Sequence, residues 1–150
     1  MRSYRERLRV PLLWWLLAVV NIVIIGSGIW AGLGGYWPAI TYVVLFALVG
    51  AVLVNWNSAV IEVADGALRA GRDILPLEVA GNVVALDAEQ AAALRGPRAD
   101  PAAHLLIRPY AKLGVYIEVT DGGSVPYWFL STRKPEELAA AIQGSRETVG

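Results

Sequence analysis

Arginines set beside aromatic and proline residues are the side chains here best suited to holding a ligand. Arg108 is followed by Pro109-Tyr110, and Arg133 follows the stretch containing Tyr127 and Trp128. A guanidinium can pair with a carboxylate or phosphate through two parallel bonds, or stack on a ring. Arg108, Arg133, Tyr127 and Trp128 are therefore the candidate ligand-binding residues. Arg95 and Arg98 flank Gly96-Pro97 near Asp100, so the competing use is an internal pair, Arg95 or Arg108 with Asp100, that fixes the intervening loop. His104 is the only histidine, and nothing near it has metal-ligand spacing, so a structural or surface role is expected and no metal. Ser131 and Thr132 precede a helical pattern, where hydroxyls cap backbone amides. Asp65, Asp73, Asp87 and Asp121 fall at turns or caps, where Asp bonds local backbone. Gly32-Leu33-Gly34-Gly35 lacks a lysine and lies between two apolar segments, which makes it a turn and not a phosphate loop. No catalytic residue and no cofactor is expected, because no nucleophile, base or metal-ligand constellation is present.

The elements that must position these residues divide sharply. Between Arg9 and Glu62 there is no Asp, Glu, Lys, Arg or His. Two apolar blocks, about 11–31 and 39–56, are split by the Gly-rich turn. About twenty apolar residues cross a hydrocarbon core of about 30 Å, so the blocks predict a transmembrane hairpin. Trp14, Trp15, Trp37 and Trp56 are the expected interfacial anchors. Arg2, Arg5, Arg7 and Arg9 precede the first block, the turn carries no cation, and Arg69 and Arg72 follow the second. The excess of cations beside the outer ends predicts a multi-pass protein of the plasma (inner) membrane with both termini cytoplasmic. Trp30 stands where a signal-peptide cleavage site needs small residues, so the hairpin is expected to be retained. No ionisable group lies within the spans, which argues against an ion pathway. Gly28 with Gly32, and Ala47 with Ala51, are small-residue pairs suited to close helix packing or to a homodimer. Asn21, Ser27 and Thr41 are expected to bond to the neighbouring helix.

From Ala59 the pattern becomes short and alternating. Strands are predicted at Val60–Val63, Leu68–Ala70, Ile74–Leu77, Val79–Leu86 with a bend at Gly81, His104–Arg108, Val115–Thr120 and Pro126–Ser131. Asp87-Ala88-Glu89-Gln90 reads as a capping box opening a helix to about Arg95. A closing helix starts at Pro135, with Glu136 and Glu137 at its positive end and Leu138, Ala141 and Ile142 on one face. The expected class is α+β: a cytoplasmic arm and hairpin over 1–57, then over 58–150 a small antiparallel β domain, pleckstrin-homology-like, with a C-terminal capping helix. The part after Trp56 is mildly acidic, which excludes a nucleic-acid surface. Cysteine is absent, so neither disulfides nor thiol chemistry contribute.

Tyr4-Arg5-Glu6-Arg7-Leu8, Val10-Pro11, Trp14-Trp15, Leu68-Arg69-Ala70-Gly71, Leu75-Pro76, Leu94-Arg95-Gly96, Ala99-Asp100-Pro101, Arg108-Pro109 and Pro126-Tyr127-Trp128 with Ser131-Thr132-Arg133 occur here in series. That series resembles the DUF3093 family of actinobacterial membrane proteins. The resemblance implies a membrane protein of that lineage and no established activity. The expected function is a membrane-anchored, non-enzymatic interaction module whose partners are the bilayer and a membrane or cytoplasmic protein. The alternatives are an enzyme acting on a lipid-borne or phosphorylated substrate, and a structural subunit of a larger membrane complex.

Overall fold

The computed structural model describes residues 4–32 and 34–149. Arg2 and Leu33, used above, lie outside the described residues. The chain divides into two compact units, one of Arg9–Ser58 and one joining the chain up to Leu8 with everything from Ala59 onward.

The first unit holds two antiparallel helices of 21 residues each, α1 (Leu12–Gly32) and α2 (Trp37–Asn57). Both are long and apolar enough to cross a membrane, and most of their apolar surface points outward. Their shared seam takes Trp15, Ala18, Ile22, Gly26 and Ile29 from α1, and Pro38, Tyr42, Leu45, Val49, Leu53 and Trp56 from α2. That three-to-four spacing keeps one stripe of each helix in contact. The closest approach is at Gly26, where a side-chain carbon would overlap the Tyr42 ring. Tyr42 Oη donates to the Val23 carbonyl at 3.4 Å. Toward the open end, Trp14 and Trp56 meet edge to face at 5.9 Å between ring centroids.

Two expectations for the hairpin are corrected. Gly28 and Gly32 face open space, and Ala47 and Ala51 are exposed, so neither small-residue pair lies on the seam. Two residues of helix rotate by about 200°, which carries Gly28 to the side opposite Gly26. The polar side chains bond within their own helix. Asn21 Nδ2 donates to Leu17 O at 2.8 Å, Ser27 Oγ to Val23 O, and Thr41 Oγ1 to Trp37 O at 3.0 Å. Asn21 and Ser27 are exposed on α1, and for each of the three the carbonyl four residues back is a local acceptor.

The second unit is two four-stranded sheets with two helices. The first sheet is a meander of β1 (Tyr4–Arg7), β2 (Val60–Ala64), β3 (Ala67–Ala70) and β4 (Asp73–Pro76), all antiparallel. Asp65 and Gly66 turn β2 into β3 with φ of 53° and 71°, the doubly left-handed turn that Asp-Gly adopts at little steric expense. A 3-10 turn, Leu77–Val79, leads to β5 (Ala80–Leu86), which bulges between Ala80 and Val83 as Gly81 had suggested. Helix α3 (Ala88–Arg95) opens with the expected capping box: Asp87 Oδ1 accepts the Gln90 N–H at 2.8 Å, and Gln90 Oε1 accepts the Asp87 N–H at 3.1 Å. Then come β6 (His104–Leu106), β7 (Leu113–Val119), β8 (Tyr127–Thr132) and α4 (Pro135–Val149). The second sheet has the order β5-β7-β8-β6.

Ile61, Val63 and Leu68 of the first sheet, with Leu8 just after β1, pack with Val115, Ile117 and Leu130 of the second sheet and with Leu138 and Ile142 of α4. A second cluster, Leu86, Ala91, Tyr127 and Phe129, lies under α3 on the other face of the second sheet. Every residue of β8 is consequently buried. Tyr116 is half-buried there against Tyr127, with ring centroids 5.0 Å apart.

Three further expectations change. The N-terminal arm was grouped with the hairpin, yet Tyr4–Arg7 is a strand of the β unit, in register from Tyr4↔Val63 to Arg7↔Val60. Tyr4, Glu6 and Leu8 alternate with Arg5, Arg7 and Arg9, so the strand turns its less polar side inward and its arginines outward. The strand expected at His104–Arg108 stops at Leu106. It also runs parallel to β8, because the chain passes beyond β8 before returning as β7.

Candidate functional site

At the end of the β unit where β1 gives way to residue 8, four elements bring polar side chains together. Glu6, on the inner side of β1, accepts the Tyr4 hydroxyl at 2.9 Å, the Thr132 hydroxyl, and the Arg133 backbone N–H at 3.1 Å. Thr132 is fully buried, and its oxygen also accepts the Lys134 N–H at 3.0 Å, just before α4. That bond closes a turn just ahead of α4 and does not reach an amide of the helix itself. Ser131 does something else: its Oγ accepts the Arg108 N–H at 3.1 Å and ties the loop after β6 to β8.

Tyr110 stands beside this network. Its hydroxyl donates to the Leu8 carbonyl at 3.3 Å, and the Arg133 guanidinium lies over its ring, 5.6 Å from the centroid. Such a contact contributes about 0.5–1 kcal/mol where solvent reaches it. Burial raises the Tyr110 pKa above its ordinary value, although the charges of Arg108 and Arg133 both oppose that rise. Arg108 is half-buried; its Nη1 donates to the Ile107 carbonyl at 3.0 Å, while its Nε is buried without a hydrogen-bond partner. Tyr4 is raised further still, by burial first and then by its bond to Glu6 and that carboxylate's charge.

The structure thus gathers two of the four sequence-derived candidates. Arg108 and Arg133 both reach Tyr110. Tyr127 and Trp128 are successive residues of β8 and point to opposite faces of the sheet. Tyr127 joins the cluster under α3 and accepts the Asp100 N–H at 3.0 Å. Trp128 joins the main core, stacked on His104 at 4.2 Å. His104 Nε2 lies 3.3 Å from Asp73 Oδ2, so the single histidine links β6 to β4. The alternative internal pairs with Asp100 do not form: Arg95 donates to the carbonyls of Ala91, Ala111 and Lys112, and Asp100 Oδ1 accepts the Ala102 N–H. Of the expected anchors, Trp37 is exposed at the start of α2, Trp14 and Trp56 meet, and Trp15 lies on the seam.

Glu6 is masked in the sequence by the arginines on either side of it. The period-of-two pattern from Tyr4 to Leu8 was the signal that could have placed it. Chemically, the cluster offers two cations and a phenol around a carboxylate already supplied with donors. The Glu6 carboxylate is itself the acceptor at the centre of the arrangement, which ties β1 to β8 through charge-assisted bonds.

A family model described as a protein of unknown function, DUF3093, matches residues 3–142. No curated protein and no solved structure matches the chain.

Proposed function

The chain belongs to the DUF3093 family, and from that premise we propose that it is a membrane-anchored, non-enzymatic interaction module. In this reading α1 and α2 cross the plasma membrane as a hairpin, and the β unit works at the cytoplasmic face. The observation that carries it is the pairing of β1 with β2. These neighbouring strands lie on either side of the helical hairpin in the chain, so one folded unit includes both flanks. Two spans return the chain to its starting side, as such a unit requires. The arginines flanking the spans favour the cytoplasmic side. The meander, the second sheet and the closing helix support a pleckstrin-homology-like description, from which the parallel β6 departs.

The surface offered to a protein partner is the outer edge of β4. Among the described residues this strand pairs only with β3, and Ile74 on it is 57% exposed. Unpaired edge groups and an apolar side chain suit strand addition by another chain. A module held at the membrane needs only weak contacts, since tethering raises the effective concentration of its partners.

The native chain has no cysteine, so an introduced one is the sole thiol. Ser124→Cys, in the β7–β8 loop, should react with an impermeant maleimide only in inverted vesicles, and Gly34→Cys only in intact cells. Labelling of Ser124→Cys in intact cells would refute the cytoplasmic placement. Crosslinking followed by co-purification should then recover a protein partner that Ile74→Asp releases. Release only by Gly28→Leu would instead favour a helical subunit of a larger complex. Recovery of no partner would count against the interaction module.

A further inference from the structure

The free edge of β4 can be read group by group. Leu77 N–H donates back to Gly66 O, at the head of β3, at 2.9 Å. Antiparallel ladders alternate, so Leu75 and Asp73 also bond toward β3, while Ile74 and Pro76 turn their backbone groups outward. Proline has no N–H. The edge therefore shows a donor, Ile74 N–H, and the carbonyl acceptors of Ile74 and Pro76, and among the described residues no group bonds to them.

The second sheet treats its outer strand β5 differently. Val119 N–H goes to Pro126 O, on the β8 side. By the same alternation Tyr116 bonds toward its partner Val84, and Val83 turns its backbone groups outward. There α4 covers the edge: Gln143 Nε2 donates to Val83 O at 3.5 Å, and Arg146 Nη1 to Gly81 O at 2.6 Å. Such cover blocks strand addition. Strand β4 lacks it.

The side chains around the open edge are cationic. On the outer face of the first sheet, Arg5, Glu62, Arg69 and Ile74 stand directly opposite one another across the four strands, and Arg7 shares that face opposite Val60. Arg72 lies in the β3–β4 turn, two positions before Ile74. These arginines are exposed, and none is in an ion pair among the described residues. Glu62 is the one carboxylate of the strands on this face. Asp73 alternates to the other side, where its Oδ2 meets His104. A lipid phosphate would bring only acceptors to such an edge, whereas a polypeptide brings the acceptor for Ile74 N–H and the donors for the two carbonyls.

We propose that the segment added at β4 is an acidic strand, with an apolar residue beside Ile74 and a carboxylate two positions away on the same face. Side chains two apart share a face, so that carboxylate falls beside Arg72. Arg69 stands about 10 Å from the added strand, two strand spacings, within reach of a glutamate laid over Ile74. The inference rests on the strand-addition reading above and names the chemistry of the partner.

The full-length protein in neutral detergent, labelled with nitrogen-15 at isoleucine, is titrated with the capped peptide Thr-Glu-Thr-Val-Thr-Glu-Thr or with its counterpart carrying Lys for Glu. The Ile74 amide resonance is identified by its loss in Ile74→Val. The Glu peptide should shift it saturably, less tightly as salt is raised, and the Lys peptide should bind more weakly. Arg69→Gln and Arg72→Gln, both exposed and safe for the fold, should each weaken the Glu peptide about two- to fivefold. Arg7→Gln should not, because about 19 Å separates β1 from the added strand and screening acts within about 8 Å. An equal loss in Arg7→Gln would reveal a diffuse field and overturn the seat. Equal binding of the two peptides would refute the acidic partner and leave strand addition standing, whereas an Ile74 amide that neither peptide moves refutes strand addition itself. Displacement of the Glu peptide by dihexanoyl phosphatidylglycerol would assign the cationic face to lipid and overturn the proposal.

Discussion

Glu6 holds β1 to the junction of β8 and α4 through two donors, the Thr132 hydroxyl and the Arg133 N–H, and it does so from a strand of only four residues. Replacing it with Ala leaves the buried Thr132 hydroxyl without its acceptor. Glu6→Ala should therefore destabilise the β unit by about 1–3 kcal/mol, read as a lower denaturant midpoint. Glu6→Gln keeps an acceptor and should lose less. Tyr4 gives the same junction a pH dependence. A tyrosine ionises by losing its proton, and folding raises the Tyr4 pKa above its ordinary value of 10.0. Below that value both folded and unfolded chains are protonated, and the stability is intact. Above it the unfolded chain ionises first, so stability falls as pH rises. Denaturation followed across the alkaline range should show this fall, and Tyr4→Phe should flatten it while starting from a lower plateau.

At the scale of elements, the hairpin makes the sharpest contrast. Gly26→Val drives a side chain into the Tyr42 ring and should part the helices, whereas Gly28→Val enters open space and should leave them paired. Disulfide trapping of paired cysteines placed across the seam distinguishes the two. Asp87→Ala removes the α3 cap and should lower stability by about 1 kcal/mol, measurable by denaturation. These elements differ in how far they could be read from sequence. The two apolar helices, the capping box of α3, the Asp65-Gly66 turn, and the Leu138 and Ile142 face of α4 all follow from neighbouring residues, and all were legible. Strand β1 was not, because its pairing partners are more than fifty positions away and its arginines look like a basic arm. The parallel course of β6 was hidden for the same reason. In the candidate site, Arg108 and Arg133 were visible as residue types, but which aromatic they meet depends on strand facing. That facing sends Tyr127 and Trp128 apart and leaves Tyr110 between the two arginines' reach.

For the molecule as a whole, the β unit is assembled from two separated pieces of chain, and Leu8 from the shorter piece is wholly buried in its core. Deleting residues 1–8 should expose Ile61, Val63 and Leu68 along one side, and the remaining β unit should become protease-sensitive while the hairpin still sediments with membranes. A protease-resistant remainder would show that the first strand is dispensable. The split also sets a sequence of events during synthesis. Strand β1 leaves the ribosome first, yet the strand it pairs with emerges only after both apolar helices have been made. Tyr4–Arg7 must wait, unpaired, until both helices have been made and Val60–Ala64 follows them out. On the anchored reading, a chain in which only one of the two spans inserted would leave β1 and β2 on opposite sides of the bilayer, and the sheet could not close. On that reading a closed sheet reports that both spans went in together, whereas a chain with one span left out keeps an open strand edge.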